Sequence, residues 1–211
     1  SGSAGGLTLS GTYYAFILGF NHNSSREGNN SIHFQFGKTS AGVDIAFVNS
    51  YNSTGTGFCM NTSNTNSGGW NGSYMRKTIC PAFLSAMPTA WQNVIAACTK
   101  YSDNTGGGSD TASYVTSTSD KIWLLSEFEV QGARSYANSA EKNYQVQYDY
   151  YKNGNSKIKY QHSSTGSACS WWLRSVYSGS TNSFCRVATA GGASNSSAYP
   201  SLGFAPGFKV A

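Results

Sequence analysis

The chain has 211 residues, 14 basic and nine acidic, for a net charge of +5. Charged residues are 11% of it and aromatics 14%, against roughly 25% charged in an average soluble protein. This excludes a disordered chain and a charge-coated cytosolic enzyme, and fits an all-β or α+β domain of an extracellular or virion surface. The basic residues form no run, which speaks against a nucleic-acid partner, and no apolar stretch reaches the ~18 residues of a membrane helix.

The opening SGSAGG reads as a linker or expression remnant with no signal peptide, so residues 1–11 are set apart and 12–211 are taken as one domain. Residues 12–20, TYYAFILGF, are a short β-branched and aromatic run ended by glycine, which predicts a buried strand. The polar cluster 21–30 is a turn. In 31–37, Ile32, Phe34 and Phe36 share one face and His33 and Gln35 the other. Residues 43–50 form another strand, paired with 31–37 as a hairpin across 38–42. Residues 51–72 are Asn/Ser/Thr/Gly-rich and read as loop.

Residues 73–85 predict a helix capped by Ser73 and kinked or split at Pro81. Residues 88–100 predict a better one, capped by Thr89, with Trp91, Val94, Ile95 and Cys98 at helical spacing. A long polar loop follows over 101–119, then a strand and short turn or helix over 121–130. The Tyr-rich segment 138–154 reads as a helix stopped by Gly154. Phe184–Thr189 is a strand, Gly191-Gly192 a turn, and Phe208–Val210 a terminal strand. A β-rich, helical, β-rich order predicts an α+β domain whose two ends meet in one sheet.

No catalytic motif is present. His22, His33 and His162 lack two-ligand spacing and read as surface or half-buried side chains. Glu127 and Glu129 read as a solvated pair on a strand edge, with no apolar pocket to raise their pKa. Five cysteines, Cys59, Cys80, Cys98, Cys169 and Cys185, form no CxxC pair and read as buried hydrophobes, with one disulfide left open. Asp103 and Asp110 flank a Gly-rich loop that lacks both the EF-hand and the P-loop pattern. No cofactor, metal site or enzymatic activity is expected. Trp171-Trp172 offers a stacking platform, but neighbours on a strand face opposite sides, so at least one belongs to the core. Arg174 is expected to make an ion pair or structural hydrogen bond beneath that stretch.

Five segments together resemble a family of phage tail and gut-bacterial surface proteins: FIxGFNHNxxREGxNxIHFQ over 16–35, MNTSNTNSGGWxxSxMRK over 60–77, TKYSDNTGGGSDTASY over 99–114, RSYANSAEKNYQxQYxYY over 134–151, and WWLRS through APGF over 171–208. The last module is similar to the C-type-lectin-fold variable domain of diversity-generating retroelements. The resemblance implies a C-type-lectin-like fold of antiparallel sheets with a few flanking helices and long polar loops. It also implies adenine-directed diversification of Asn codons, whose products exclude Lys, Gln, Glu, Met and Trp. Residues 176–204 contain none of those five.

Carried over position by position, the scaffold would be Trp171, Trp172, Leu173, Arg174, Phe184, Cys185, Val187, Gly191, Gly203, Ala205, Pro206, Gly207 and Phe208. The exposed, variable face would be Tyr177, Ser178, Ser180, Asn182, Ser183, Arg186, Ala188, Ala190, Ser194, Ser196, Ser197, Tyr199, Ser201, Leu202 and Phe204. Val176 departs from the pattern where proline often follows WWLRS, as does Lys209 where an apolar residue or cysteine is expected. The implied function is ligand binding by a phage tail fibre or bacterial surface protein. Its partner would be a host cell-surface protein or glycan, without membrane insertion, and the parent fibre would allow a homotrimer. Two other readings compete. One is a fixed-specificity glycan adhesin or structural virion domain. The other is an enzyme resembling formylglycine-generating enzymes, which would require Cys169 and Cys185 to be close and solvent-facing.

Overall fold

The computed structural model describes residues 2–211 and is a mixed α+β domain of mostly antiparallel sheets with short helices. Its largest sheet runs in the order Tyr14–Phe20, Ile32–Lys38, Gly207–Val210, Ile95–Ala96, and Ile122–Trp123 pairs with the same terminal strand. The two ends of the domain therefore meet in one sheet, as the order of elements predicts. A second sheet holds Trp171–Val176, Ser183–Val187 and Ala193–Ser197, all antiparallel. A third joins Ser164–Cys169, Lys159–Gln161 and Ile45–Ala46, the last pair parallel.

Alternation along Trp171–Val176 divides the interior in two. Trp172 and Val176 pack with Phe58, Phe184, Phe204 and Phe208 on one side. Trp171 and Leu173 pack with Tyr148, Tyr151, Cys169 and Cys185 on the other. Both tryptophans are fully buried, and their indole N–H groups donate to the carbonyls of Lys157 and Phe58. Neither is a stacking platform; a period-two strand buried on both faces has no room for one.

Several local expectations are corrected. Residues 2–9, set apart as a linker, form a hairpin of Gly2–Ala4 with Leu7–Leu9, and Ala4 joins the core. The strand over 43–50 shrinks to Ile45–Ala46. It leaves the hairpin after one bridge, Lys38 to Asp44, to pair with Lys159–Gln161. The expected helix over 88–100 ends at Val94. β-branched Ile95 then pairs with Val210, and Cys98–Asp103 forms a hairpin with Val115–Asp120 inside the expected loop. The segment 73–85 splits into a π-helical turn, Met75–Ile79, and a helix, Cys80–Ala86, with Pro81 in the first turn, where its missing N–H costs nothing. The segment 138–154 holds only a 3₁₀ turn, Ser139–Asn143, capped by Asn138 rather than Ser139, and a short helix, Asp149–Lys152.

On Ile32–Lys38 the polar face is the more deeply buried one. His33 and Gln35 are sealed, while Phe34 and Phe36 are half-buried. Gln35 is satisfied by donating to the Ala205 carbonyl and accepting from the Tyr151 hydroxyl.

Gly203 marks a tight crossing between the Trp171 strand and the segment at Ala46. Its backbone bridges Trp171, and a Cβ there would lie 2.7 Å from the Ala46 Cβ and 3.0 Å from the Trp171 Cβ. Gly203→Ala should lower stability by about 1–3 kcal/mol through overpacking, read as a shift in urea midpoint. Gly166→Ala, where a Cβ meets nothing within 4 Å, should leave it in place.

Candidate functional site

The site is built on a buried ionic frame. Arg174 sits in mid-strand with no exposure. It donates to both carboxylate oxygens of Glu129 at 2.5 and 2.8 Å, to the Ser102 hydroxyl at 2.7 Å and to the Leu124 carbonyl at 2.8 Å. Lys100, also sealed, bridges Glu129 at 2.7 Å and Glu27 at 2.8 Å. Burial would push Glu129 up, but Arg174 and Lys100 outweigh it and hold the carboxyl well below its usual range. The ion pair expected of Arg174 is present. The solvated pair expected of Glu127 and Glu129 is not. They sit in the short helix Glu127–Gln131, where Ser126 and Glu129 close a capping box. Glu127 accepts from the backbone N–H groups of Ser135, Tyr136 and Ala137. It thereby shapes the loop whose Tyr136 carbonyl accepts from the backbone and hydroxyl of Ser178.

His22 and His33, expected at or near the surface, are both buried beside this frame. Burial, reinforced by Lys100, brings their imidazoles down to about 3 and about 2. Side-chain donors of His22, Glu27 and Glu129 lie within 4.8 Å of one another, as do those of Glu27, His33 and Cys98. The cation in that space belongs to the chain itself. The Lys100 ammonium touches both carboxylates, and with Arg174 it balances their charge. Asp103 is likewise spent internally on Thr105 N, Gly106 N and Asn138.

Above the frame lies the small-residue face. Ala193–Ser197 is a half-exposed edge strand, and Tyr177, Ser180, Asn182, Arg186, Ala188, Ala190, Ser194, Ser196, Ser197 and Tyr199 all reach solvent. Five positions expected beside them do not. Phe204 is sealed, stacked on Phe58 and edge-on to Phe83. Leu202 belongs to the same core. Ser201 accepts from Phe58 N and donates to the Asn49 carbonyl. Ser178 and Ser183 are buried, Ser178 hydrogen-bonded to the Tyr136 carbonyl and Ser183 to Asn182. The chain turns inward at Ser201, and the parity of a continuing loop cannot show where that happens.

The face is anchored through its backbone. The carbonyls of Ser180 and Ser183 accept from the Asn66 side chain at 2.6 and 3.0 Å, and that of Thr181 accepts from Asn66 N. The Ala198 carbonyl accepts from Met60 N and Asn61 N, and the Tyr199 carbonyl from Gly55 N. The polar side chain in this anchoring, Asn66, comes from outside the face. It is fully buried, and its Oδ1 also accepts from Gly107 N. The sequence alone does not mark Asn66 as a functional residue. The signal available was its place in the Asn-rich motif over 60–77, where buried asparagine must find partners for both amide atoms.

Residues 49–211 match the family described as Domain of unknown function (DUF6273), and the chain belongs to that family. No curated protein and no solved structure matches it.

Lys100→Met leaves Glu27 and Glu129 buried without their shared cation and should cost about 3–5 kcal/mol. Lys142→Met, at an exposed position, should stay within about 0.5 kcal/mol. Both are read by chemical denaturation. The frame also sets a pH dependence. The folded protein keeps His22 and His33 neutral, whereas in the unfolded chain they take protons near 6.5, so stability falls as pH drops below that value. Glu141, pushed up to about 7 by burial against its hydrogen bonds, keeps its proton in the fold and acts in the opposite direction between its ordinary 4.5 and 7. Glu27, raised by burial, acts with Glu141, and His162, lowered by burial, acts with His22 and His33, so each histidine contributes a loss of up to about 1.4 kcal/mol per pH unit below 6.5 and the two carboxyls offset part of it. His33→Asn should flatten that slope in thermal melts.

Proposed function

We propose that this DUF6273 domain is a ligand-binding module on a C-type-lectin-like scaffold. It would serve at the tip of a phage tail fibre or on a bacterial surface, presenting a retroelement-diversified face to a host cell-surface protein or glycan. The observation that carries this reading is the backbone anchoring of the face. Its loops are held by main-chain carbonyls, by Asn66 from outside and by the frame beneath. Side chains at most of the ten solvent-reaching positions can therefore change without releasing the backbone; Ser180, which accepts from Asn182 N, and Arg186, which donates to the Asn195 carbonyl, add side-chain bonds of their own. Tyrosine, serine and asparagine there supply contact area and adaptable hydrogen bonds at low entropic cost.

The five inward positions do not belong to the face on this reading. Ser178, Ser183, Ser201, Leu202 and Phe204 hold the scaffold, and diversification would spare them. Binding is favoured over turnover by the state of the thiols. Cys169 and Cys185 are both fully buried; burial pushes the first up to about 12 and the second well above its ordinary value. A nucleophilic or metal-binding thiolate needs the reverse, an exposed site of lowered pKa.

Deep sequencing of the natural locus over codons 176–204 tests the proposal. Replacements at the ten outward positions, derived from adenine-bearing codons and copied from a nearby template repeat, are expected. A uniform locus without a template would sink diversification and leave the fixed-specificity adhesin. Independently, Tyr177→Ala combined with Tyr199→Ala should change stability by no more than about 1 kcal/mol, whereas Phe204→Ala should cost about 3–5 kcal/mol, both read by urea denaturation.

A further inference from the structure

The hairpin of Cys98–Asp103 with Val115–Asp120 is bordered by cations on both edges. Its inner face belongs to the interior, where Cys98, Lys100 and Thr118 are buried. Its outer face sets Thr99 and Tyr101 opposite Ser119 and Ser117, and all four reach solvent. Beside the first strand, Tyr144 stacks on Tyr101 at 4.8 Å, and the Arg26 guanidinium lies 5.4 and 4.8 Å from the two ring centres. Arg26 donates once, to the Asn143 carbonyl, so most of the five donors of an arginine stay in water. Lys142, the residue before Asn143, is exposed. Beside the second strand, an open cleft of about 350 Å³ takes in Arg76, Lys77, Ser119 and Lys121. Asp120 in its wall is buried and already holds Arg76 at 2.7 Å.

Five of the ten basic side chains that reach solvent thus border one hairpin, and the other five are spread over the rest of the surface. The acids that reach solvent are Asp44, Asp110 and Asp149. None is on the hairpin strands; Asp110 sits in the loop past the closed end, paired to Arg134 at 3.1 Å. Once Asp120 has neutralised Arg76, this side keeps Arg26, Lys77, Lys121 and Lys142 uncompensated among the described residues. We propose that it is a docking surface for an acidic polysaccharide, a chain of sugar rings bearing carboxylate or sulfate groups. Charge complementarity selects an anion, and the spread of the cations selects a linear one. Tyr101 faces Ser117, and Ser119 lies two residues on, about 7 Å at ~3.3 Å per residue, so a chain crossing the hairpin meets bases on both edges. The guanidinium of Arg26, held over two rings, is set for a two-oxygen contact with carboxylate or sulfate. Between the edges, the hydroxyls of Thr99, Tyr101, Ser117 and Ser119 offer both donors and acceptors to sugar hydroxyls. A lipid surface fits less well, because none of the six large exposed hydrophobic residues is on the hairpin to enter a bilayer. Single-stranded nucleic acid fits less well too, since Tyr101 and Tyr144 are engaged with each other and with Arg26 and offer no open platform to successive bases. No residue of this surface belongs to the small-residue face, so the inference stands apart from the reading of that face.

Isothermal titration calorimetry of the native chain with heparin, which is sulfated, and with polygalacturonate, which is carboxylated, tests the proposal. At least one should bind, and more weakly at about 150 mM salt than at about 50 mM. Lys77→Ser with Lys121→Ser, and separately Arg26→Ser with Lys142→Ser, should each weaken binding about tenfold, as the loss of two exposed ion pairs allows. Lys152→Ser with Lys157→Ser, in another part of the chain, should change it less than about twofold. Acetylation footprinting of the native chain needs no variant: bound polysaccharide should protect Lys77, Lys121 and Lys142 but not Lys152 and Lys157. Absence of binding to both polysaccharides, an equal loss in the Lys152/Lys157 variant, a footprint that spares the three hairpin lysines, or tighter binding to phosphatidylglycerol vesicles or DNA at equal charge would each overturn the proposal.

Discussion

Everything else in this domain depends on the Arg174–Glu129 pair and the lysine that extends it. Arg174 stands in a strand packed on both faces by tryptophan, leucine, phenylalanine and cysteine. An unpaired guanidinium there would be intolerable, so the fold must bring a carboxylate to it. The helix Glu127–Gln131 does so through its capping box, and Lys100 then links Glu129 to Glu27 beside the first strand hairpin. Lys209 adds a bond from the terminal strand to the Glu27 carbonyl. Four segments distant in sequence are thereby set in register by charge. A hydrophobic isostere would pack as well but would not specify the same arrangement so narrowly.

That rigidity is transmitted outward by backbone groups. Glu127 gathers three consecutive amides into a loop, that loop holds Ser178, and Asn66 holds the turn over 180–183. Specification and recognition are kept on separate atoms. Buried carboxylates and amides position main chain, while most exposed side chains of the face make no structural hydrogen bond; Ser180, Asn182 and Arg186 do. Phe204 shows the boundary between the two roles: three residues before it, at Ser201, the chain stops being surface and becomes core.

The parts of the fold that obey apolar periodicity were legible in the sequence. The tryptophan strand, the alternation in Ile32–Lys38, the strand at Ser183–Val187 and the closing strand all follow from period two. The helices were less so, because Trp91, Val94, Ile95 and Cys98 satisfy a helical spacing that tertiary pairing of Ile95 with Val210 overrides. Least legible was the polar interior. His22, Glu27, His33, Lys100 and Glu129 are silent in any hydrophobic pattern, since each is buried only because the others are. Residue identity predicts exposure for each singly; their mutual satisfaction appears only when the chain closes.

The same interior changes the meaning of the net charge. Six of the nine acidic side chains are buried, but only four of the 14 basic ones. The acids serve the scaffold, as acceptors for backbone amides and internal cations, while most bases remain in water. The solvent-facing surface is therefore more positive than +5, and almost free of negative charge. Long-range approach to an anionic cell surface is favoured by such a field, but it acts over the whole molecule and not through the small-residue face, where Arg186 is tied to Ser170 and the Asn195 carbonyl. On the proposed binding role, attraction and selectivity would have different physical origins: a diffuse positive field would favour approach to an anionic surface, and the mostly neutral side chains of the face would decide what is held there.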